Sequence, residues 1–318
     1  MILIINFILI IIIIIIIIIV KKYLKNKLEE KLENNTEETY NIGNQMSIYY
    51  HNMIICILQK KDFINNYIIT TFFYNKLPNF IPWSELEPIY ELFNKGRNNK
   101  DIVTFEYINS IESCSLWHVT NSTIEYMWIC MKPLINKIYT NAFIKSNLVK
   151  SIDKIIIHFR CADTPFVRHP GYHFQKYTFF KNALNKLTLN ISNKNIIILY
   201  NNSHLSDNKN QSACDIYVES LKKYLSNLDY NVTIESKSQL DDFATLFYAP
   251  AVISTSSSFS FISGYFGNNN NNFISATHYL NNNMCNDCGE WIYNGYDLHH
   301  DNVIDYYDTK KIITQLTN

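Results

Sequence analysis

The chain opens with a continuous apolar stretch. Residues 2–20 are apolar except for Asn6, and two lysines follow at once. About 20 apolar residues are enough to span a bilayer, and neither the basic n-region nor the small-residue cleavage site of a secretory signal peptide is visible. The pattern therefore predicts an uncleaved, single-pass membrane anchor over residues 1–20. A charged stretch with leucines four residues apart follows and predicts a helical stalk over residues 21–39.

The orientation of this anchor has two interpretations. The lysines after the apolar stretch would keep the rest of the chain in the cytosol by the positive-inside rule. A signal anchor that carries a lumenal catalytic domain is oriented the other way. The residues themselves leave both orientations open.

Beyond residue 40 the apolar positions predict an α/β protein. Apolar residues at helical spacing follow a Gly-Asn turn within residues 41–59, and three prolines break residues 78–88 into turns and short helices. A helix is predicted over residues 122–139, with a kink near Pro133. The carboxyl half then alternates short apolar runs with amphipathic stretches, which is typical of a doubly wound fold. Its predicted strands cover 155–157, 195–200, 230–234 and 251–253, and its predicted helices cover 177–187, 213–228 and the residues from 241 to Pro250.

Polar side chains follow the first of these strands. His158, Arg160 and Asp163 come directly after the Ile155–Ile157 run, and Pro165 prevents the strand from continuing. Ligands of open parallel sheets bind outside the carboxyl ends of the strands, and an arginine there can fork onto a phosphate or carboxylate. A structural Arg–Asp pair that caps the strand is the alternative interpretation.

A run of hydroxyl side chains follows the strand at 251–253. Residues 254–258 read Ser-Thr-Ser-Ser-Ser and lead into an apolar helix. Hydroxyls and free backbone N–H groups at such a strand-to-helix turn can hold phosphates. A serine-rich helix cap without a ligand is the alternative. Gly43 and Asn44 form a further candidate site, because they precede the first predicted helix. The amino end of this helix could bind an anion or a sugar hydroxyl, and a plain loop-to-helix junction is the alternative interpretation.

Composition narrows the function classes. Lysine plus arginine equals aspartate plus glutamate, at 28 each, so bulk charge argues against nucleic acid as a partner. The seven cysteines include one close pair, Cys285 and Cys288, with no second pair or histidine segment at zinc-finger spacing. We therefore expect a local disulfide or two free thiols at this pair and not a structural zinc site.

Three short motifs, taken in their order along the chain, carry a resemblance. GNQM at 43–46, HFRCAD at 158–163 and STSSSFSFISGYFG at 254–267 resemble motifs of the alpha-1,2-fucosyltransferase family of GDP-fucose-dependent glycosyltransferases. The resemblance spans roughly 230 residues. It implies a GT-B-like architecture of two Rossmann-like halves facing a cleft, with an acceptor-side half at 40–150 and a nucleotide-sugar-binding half at 151–318.

The resemblance also implies roles for individual residues. Arg160 would neutralise the β-phosphate of GDP-fucose as the glycosidic bond breaks, and His158 and Asp163 would position that arginine or touch the nucleotide. Ser256, Ser257 and Ser258 would complete the donor site by binding the phosphates, and Asn44 and Gln45 would reach the donor sugar or the acceptor from the other half. Transfer to a hydroxyl of a glycan acceptor would proceed with inversion and without a metal ion. A lumenal catalytic domain in the Golgi or endoplasmic reticulum is then the expected location, with the cytosolic orientation still open.

The chain departs from the family pattern at several positions. Cys161 and Ala162 stand where the family has a second arginine and a glycine, Asn41 replaces the first glycine of the opening turn, and Phe261 replaces a tryptophan. Losing an arginine removes a charge-assisted phosphate contact worth roughly 1.5–3 kcal/mol. We expect Arg168, a few residues on, to replace it.

The motifs supply no catalytic base. His173 is the expected proton acceptor, chosen over His169 because Pro170 and Gly171 between them turn the loop. His118 and Glu125 are the alternatives from the amino-terminal half. Two further functions stay open: a transferase of the same fold that uses another nucleotide sugar, and a non-catalytic glycan-binding protein on a decayed transferase scaffold.

Overall fold

A computed structural model describes residues 42–65, 74–96, 108, 110, 122–161, 174–187, 194–200, 208–255, 257–268 and 272–276. No helix in this described part of the chain is long and apolar enough to cross a membrane. The predicted anchor, the predicted stalk and the Cys285–Cys288 pair lie outside the described residues.

The amino-terminal elements are mainly helical. They are α1 (Ile42–Leu58), β1 (Phe63–Ile64), a 3-10 turn (Tyr74–Lys76), β2 (Phe80–Ile81), α2 (Trp83–Gly96) and α3 (Ser122–Lys145). The strands β1 and β2 form an antiparallel pair. The predicted apolar face of α1 is confirmed, since these side chains are buried: Met46, Tyr49, Tyr50, Met53, Ile54 and Ile57. The helix already begins at Ile42, so Gly43 belongs to its first turn and not to a preceding one.

The expectation that Pro88 would break the chain into short helices is wrong. The helix α2 has 14 residues and continues through Pro88. Pro88 lies on the exposed side of the helix, where water can hydrogen-bond the carbonyl group that has no N–H partner. Three side chains on the other side of the helix are buried, namely Leu86, Ile89 and Phe93. The Trp83 N–H donates to the Asp62 carboxylate at 2.6 Å and caps the amino end. Burial and capping thus outweigh the proline, and α3 similarly continues past Pro133 to Lys145.

The carboxyl half alternates strands and helices as predicted, and it adds one short strand at residues 273–275 that the sequence did not predict. Its elements are β3 (Ile155–Phe159), α4 (Tyr177–Lys186), β4 (Asn195–Tyr200), α5 (Asn208–Ser226), β5 (Asn231–Glu235), α6 (Gln239–Tyr248), β6 (Ala251–Ser254), α7 (Ser258–Ser260) with its π-helical continuation (Phe261–Tyr265), and β7 (Phe273–Ser275). The α/β class is therefore confirmed.

The five strands of this half form one parallel sheet in the order β5-β4-β3-β6-β7. The chain builds the sheet outward from β3 through β4 to β5, and then returns to place β6 on the other side of β3. This strand order is that of a Rossmann-like fold, and the pair β3–β6 is its topological switch point. At this point the connections leave in opposite directions and open a crevice at the carboxyl edge of the sheet, where the strands end.

Alternating side chains of β3 separate two hydrophobic cores. Ile155, Ile157 and Phe159 pack with α4 and α5 on one face of the sheet. Ile156 points to the other face, where a single core joins β3 to α1, α2, α3 and α6. The described amino-terminal helices therefore pack on the sheet that carries the switch point. The division into two Rossmann-like halves stays a prediction.

Candidate functional site

Two of the predicted motifs meet at the topological switch point. The carboxyl ends of β3 and β6 lie side by side, with His158 in register with Ser254. The Thr255 N–H donates to the His158 carbonyl oxygen at 3.0 Å, and the Arg160 N–H donates to the Thr255 hydroxyl at 2.9 Å. Thr255 thus joins the strand end that carries Arg160 to the first residues of the serine turn.

The serine turn is braced by its own hydroxyl groups. Buried Ser254 hydrogen-bonds Ser260 through the two hydroxyls and also donates to the Thr255 carbonyl at 2.5 Å. Ser260 in turn donates to the Ser257 carbonyl at 3.2 Å. Ser257 occupies the N-cap position of α7, but its hydroxyl does not cap that helix. A serine cap therefore does not account for Ser257.

The third motif reaches the same place from the amino-terminal segment. The first turn of α1 packs on the start of α7, and a Cβ atom added to Gly43 would lie 2.5 Å from the Ser258 hydroxyl oxygen. The absence of a side chain at Gly43 therefore allows the two segments to approach closely. Gln45 is buried next to this contact in sequence, and Ser258 is buried as well. Residues 215 positions apart along the chain are thus brought into contact.

His158 is a neutral group at this site. Its ring is half-buried and lies 5.6 Å, between centroids, from the Phe259 ring. Its Nδ1 atom is shielded from solvent and has no hydrogen-bond partner within the described residues. Burial, reinforced by the charge of Arg160, lowers the pKa of His158 to about 3. A neutral imidazole can donate through one nitrogen and accept through the other.

Arg160 follows β3 directly and is half-buried. Successive side chains of an extended chain point to opposite faces, so Arg160 shares the face of His158 and Ile156. That face is the one covered by α1 and α6. Alternation along the chain therefore assigns position 160 to this face of the sheet.

The residue after it, Cys161, belongs to the opposite face. Cys161 is buried in the core with α4 and α5, and a disulfide joins it to Cys214 of α5 with their Cα atoms 6.0 Å apart. A side chain at position 161 thus points away from the face that carries Arg160. The pairing was missed at the sequence level, since 53 residues separate the two cysteines and neither belongs to a close pair.

Two adjacent carboxyl groups near the amino end of α6 have opposite environments. Asp242 is buried, which raises its pKa to about 6, and the Lys237 N–H donates to it at 3.3 Å. The Ser238 hydroxyl and the Lys150 ammonium lower the pKa of Asp241, which forms an ion pair with Lys150 at 3.1 Å. The next residue, Phe243, contacts Phe259 with ring centroids 5.4 Å apart, so this helix borders the site.

Several predicted site residues lie outside the described part of the chain. They are Asp163, Arg168, His169, His173 and Ser256, together with the side chain of Asn44. Among the described residues no group of three His, Cys, Asp or Glu side chains is arranged to hold a metal ion. Comparison with family models, curated proteins and solved structures gives no match to this chain.

Proposed function

We propose that this protein is a membrane-anchored glycosyltransferase that moves fucose from GDP-fucose to a hydroxyl group of a glycan acceptor, with inversion and without a metal ion. One observation carries the proposal: the motifs around Gly43, Arg160 and Ser257 meet at the switch point of a parallel sheet. Nucleotide-type ligands of doubly wound folds bind in this crevice.

Arg160 has the properties that a leaving diphosphate needs. Charge accumulates on the β-phosphate as the glycosidic bond breaks, and a preorganised cation stabilises that charge most strongly where water is scarce. Arg160, which is half-buried and hydrogen-bonded through its backbone to Thr255 of the serine turn, fits this role. Asp163 would orient the arginine, Ser256 would extend the phosphate contacts, and Arg168 would provide the second cation that position 161 does not.

His158 would bind the donor as a neutral hydrogen-bonding group. Its pKa near 3 means that it carries no charge at neutral pH and is a weak proton acceptor there. The proton of the acceptor hydroxyl would instead go to His173, in the segment between Arg160 and α4. This assignment separates donor binding from proton transfer, because the two histidines belong to different segments.

The acceptor would approach from the amino-terminal half. The first turn of α1 touches the serine turn, so Asn44 and Gln45 are close in sequence to the contact between the two parts of the chain. A GT-B-like cleft between the halves at 40–150 and 151–318 would place the acceptor hydroxyl opposite the donor. The glycan is then held by the first half and the nucleotide by the second.

We further propose that the catalytic part lies in the lumen of the Golgi or endoplasmic reticulum. The disulfide between Cys161 and Cys214 supports this orientation, because disulfides persist in oxidising compartments and are rare in the cytosol. The apolar residues 2–20 would anchor the chain in the membrane. Protease protection of the catalytic part in sealed microsomes tests this orientation, and digestion without detergent would contradict it.

A ligand screen tests the proposed function. The full chain in detergent micelles is heated with GDP, UDP or CMP, and release of free sugar from the corresponding nucleotide sugars is then measured. A rise in melting temperature with GDP alone, together with slow hydrolysis of GDP-fucose, supports the proposal. A shift with UDP or CMP points to another nucleotide sugar, and no shift with any nucleotide favours a glycan-binding protein.

A further inference from the structure

The two residues that follow β3 are held by two different contacts. Arg160 is held through its backbone, because its N–H donates to the Thr255 hydroxyl at 2.9 Å. Cys161 is held through its side chain, because it forms the disulfide with Cys214 of α5. The backbone between these two attachment points carries the Arg160 side chain.

A cluster of aromatic rings surrounds the disulfide side of this arrangement. Tyr217, one helical turn after Cys214, stacks on Phe159 with centroids 4.6 Å apart and contacts Phe174 at 4.5 Å. The Tyr217 hydroxyl donates to the Gln175 carbonyl at 2.5 Å. Helix α5 is therefore packed firmly against the end of β3 without the covalent bond. Loss of the disulfide should leave the fold in place and free mainly the residues after Phe159.

We propose that the Cys161–Cys214 disulfide is a positioning element for Arg160. The bond holds the Cα atom of residue 161 against α5, and this fixes the direction in which the preceding residue leaves the strand. The Arg160 side chain is then restricted to the face of the sheet that carries Ile156. The inference rests on the proposed function only for its ligand, a diphosphate, since the position of the Arg160 backbone can be measured without any ligand.

If the disulfide positions Arg160, its removal must loosen the backbone around residue 160. The double variant Cys161→Ala/Cys214→Ala removes the bond, and Cys130→Ala is the matched control, because Cys130 is a buried free thiol on α3. Wild-type protein reduced with a phosphine keeps both sulfur atoms and replaces the double variant if that chain does not fold. Near-ultraviolet circular dichroism verifies the fold of each form.

Two measurements are made on each form, hydrogen exchange of backbone amides and affinity for GDP. Without the bond the Arg160 amide should exchange at least tenfold faster while amides of β5 keep their rates, because only the local opening changes. The dissociation constant for GDP should rise about tenfold, the size expected from one weakened charge-assisted hydrogen bond. The Cys130→Ala control should match the wild type in both measurements.

The outcomes separate this proposal from the proposed function. Unchanged exchange at Arg160, or mass spectrometry that finds both thiols free in the native protein, overturns the positioning role. A lower melting temperature with unchanged exchange and unchanged GDP affinity overturns it as well, because the bond then acts on stability alone. If the wild type does not bind GDP but the Arg160 amide exchanges faster without the bond, the positioning role stands and the proposed function fails.

Discussion

Gly43 and Ser258 lie so close that a methyl group on the first would sit 2.5 Å from the hydroxyl oxygen of the second. The contact joins the first turn of α1 to the start of α7, and with it the amino-terminal segment to the candidate phosphate site. Only glycine permits this approach without moving a neighbour. Two further atoms, the Ser258 Cβ and the Phe259 nitrogen, would lie 3.3 Å from the added methyl group, so rotation of the serine hydroxyl gives only partial relief.

The first prediction follows from this contact. Gly43→Ala should destabilise the protein by about 1–3 kcal/mol, the usual cost of overpacking, and should weaken GDP binding because the serine turn is displaced. Urea unfolding and GDP titration measure the two effects. The double variant Gly43→Ala/Ser258→Ala should recover part of the lost stability, since the nearest clashing atom is gone. Strict additivity of the two substitutions would show that the residues do not interact.

The second prediction concerns the charge of Arg160. Arg160→Ala should weaken GDP binding by roughly 10- to 150-fold, the equivalent of about 1.5–3 kcal/mol for a lost charge-assisted hydrogen bond. Arg160→Lys should restore little of it, because lysine lacks the planar fork. Lys154→Ala, which removes the same charge just before the opposite end of β3, is the control and should bind GDP normally. Equal effects of the two alanine variants would refute a specific role for Arg160.

The third prediction separates the two histidines by the pH profile of transfer. With a pKa near 3, His158 stays neutral across the neutral range and should give no change in activity there. If His173 accepts the proton, activity should fall as the pH drops through about 6.5, the usual pKa of histidine. His173→Ala should remove this fall of activity at low pH and should lower turnover. His158→Gln should reduce the affinity for the donor and leave the fall of activity at low pH unchanged. If activity still falls at low pH in His173→Ala, the base must instead be His169 or a residue of the amino-terminal half.

The fourth prediction uses the two neighbouring aspartates of α6. Burial raises the pKa of Asp242 to about 6, so the folded state binds a proton more tightly than the unfolded state, whose usual pKa is about 4. Protonation of Asp242 therefore increases the free energy of unfolding as the pH falls from 6 to 4. This contribution is lost as the pH rises through 6. Asp241 has the opposite sign, because its pKa is lowered and its ion pair with Lys150 weakens when the carboxylate is protonated.

Urea unfolding at pH 4, 5, 6 and 7 tests this pair, with each asparagine variant serving as the control for the other. Compared with the wild type, Asp242→Asn should lose stability more steeply as the pH falls from 6 to 4, because it lacks the gain from protonation. Asp241→Asn should lose stability less steeply over the acid range below 4, which a further series at lower pH covers. The same pH slope in both variants would contradict the opposite environments of the two groups.

The sequence by itself indicated most elements of the carboxyl half, but not β7, and it indicated the candidate residues of the site. The runs Ile155–Ile157 and Asn195–Tyr200 are short, apolar and rich in isoleucine, which is typical of strands that are buried on both faces of a parallel sheet. The same runs led us to expect a strand end near residue 158, although β3 continues to Phe159 and contains His158, so that Arg160 follows it. These are local properties of side-chain type and spacing, and they can be read along the chain.

Tertiary structure alone decided how these elements meet. The order of the strands, and hence the switch point between β3 and β6, depends on which edges pair, and no local pattern contains that information. The continuation of α2 through Pro88 and the partnership of Cys161 with Cys214 depend on neighbours distant in sequence. The low pKa of His158 arises in the same way, since it requires burial of the ring beside Arg160. Burial, covalent pairing and charge proximity are properties of packing, and packing joins residues that the sequence keeps apart.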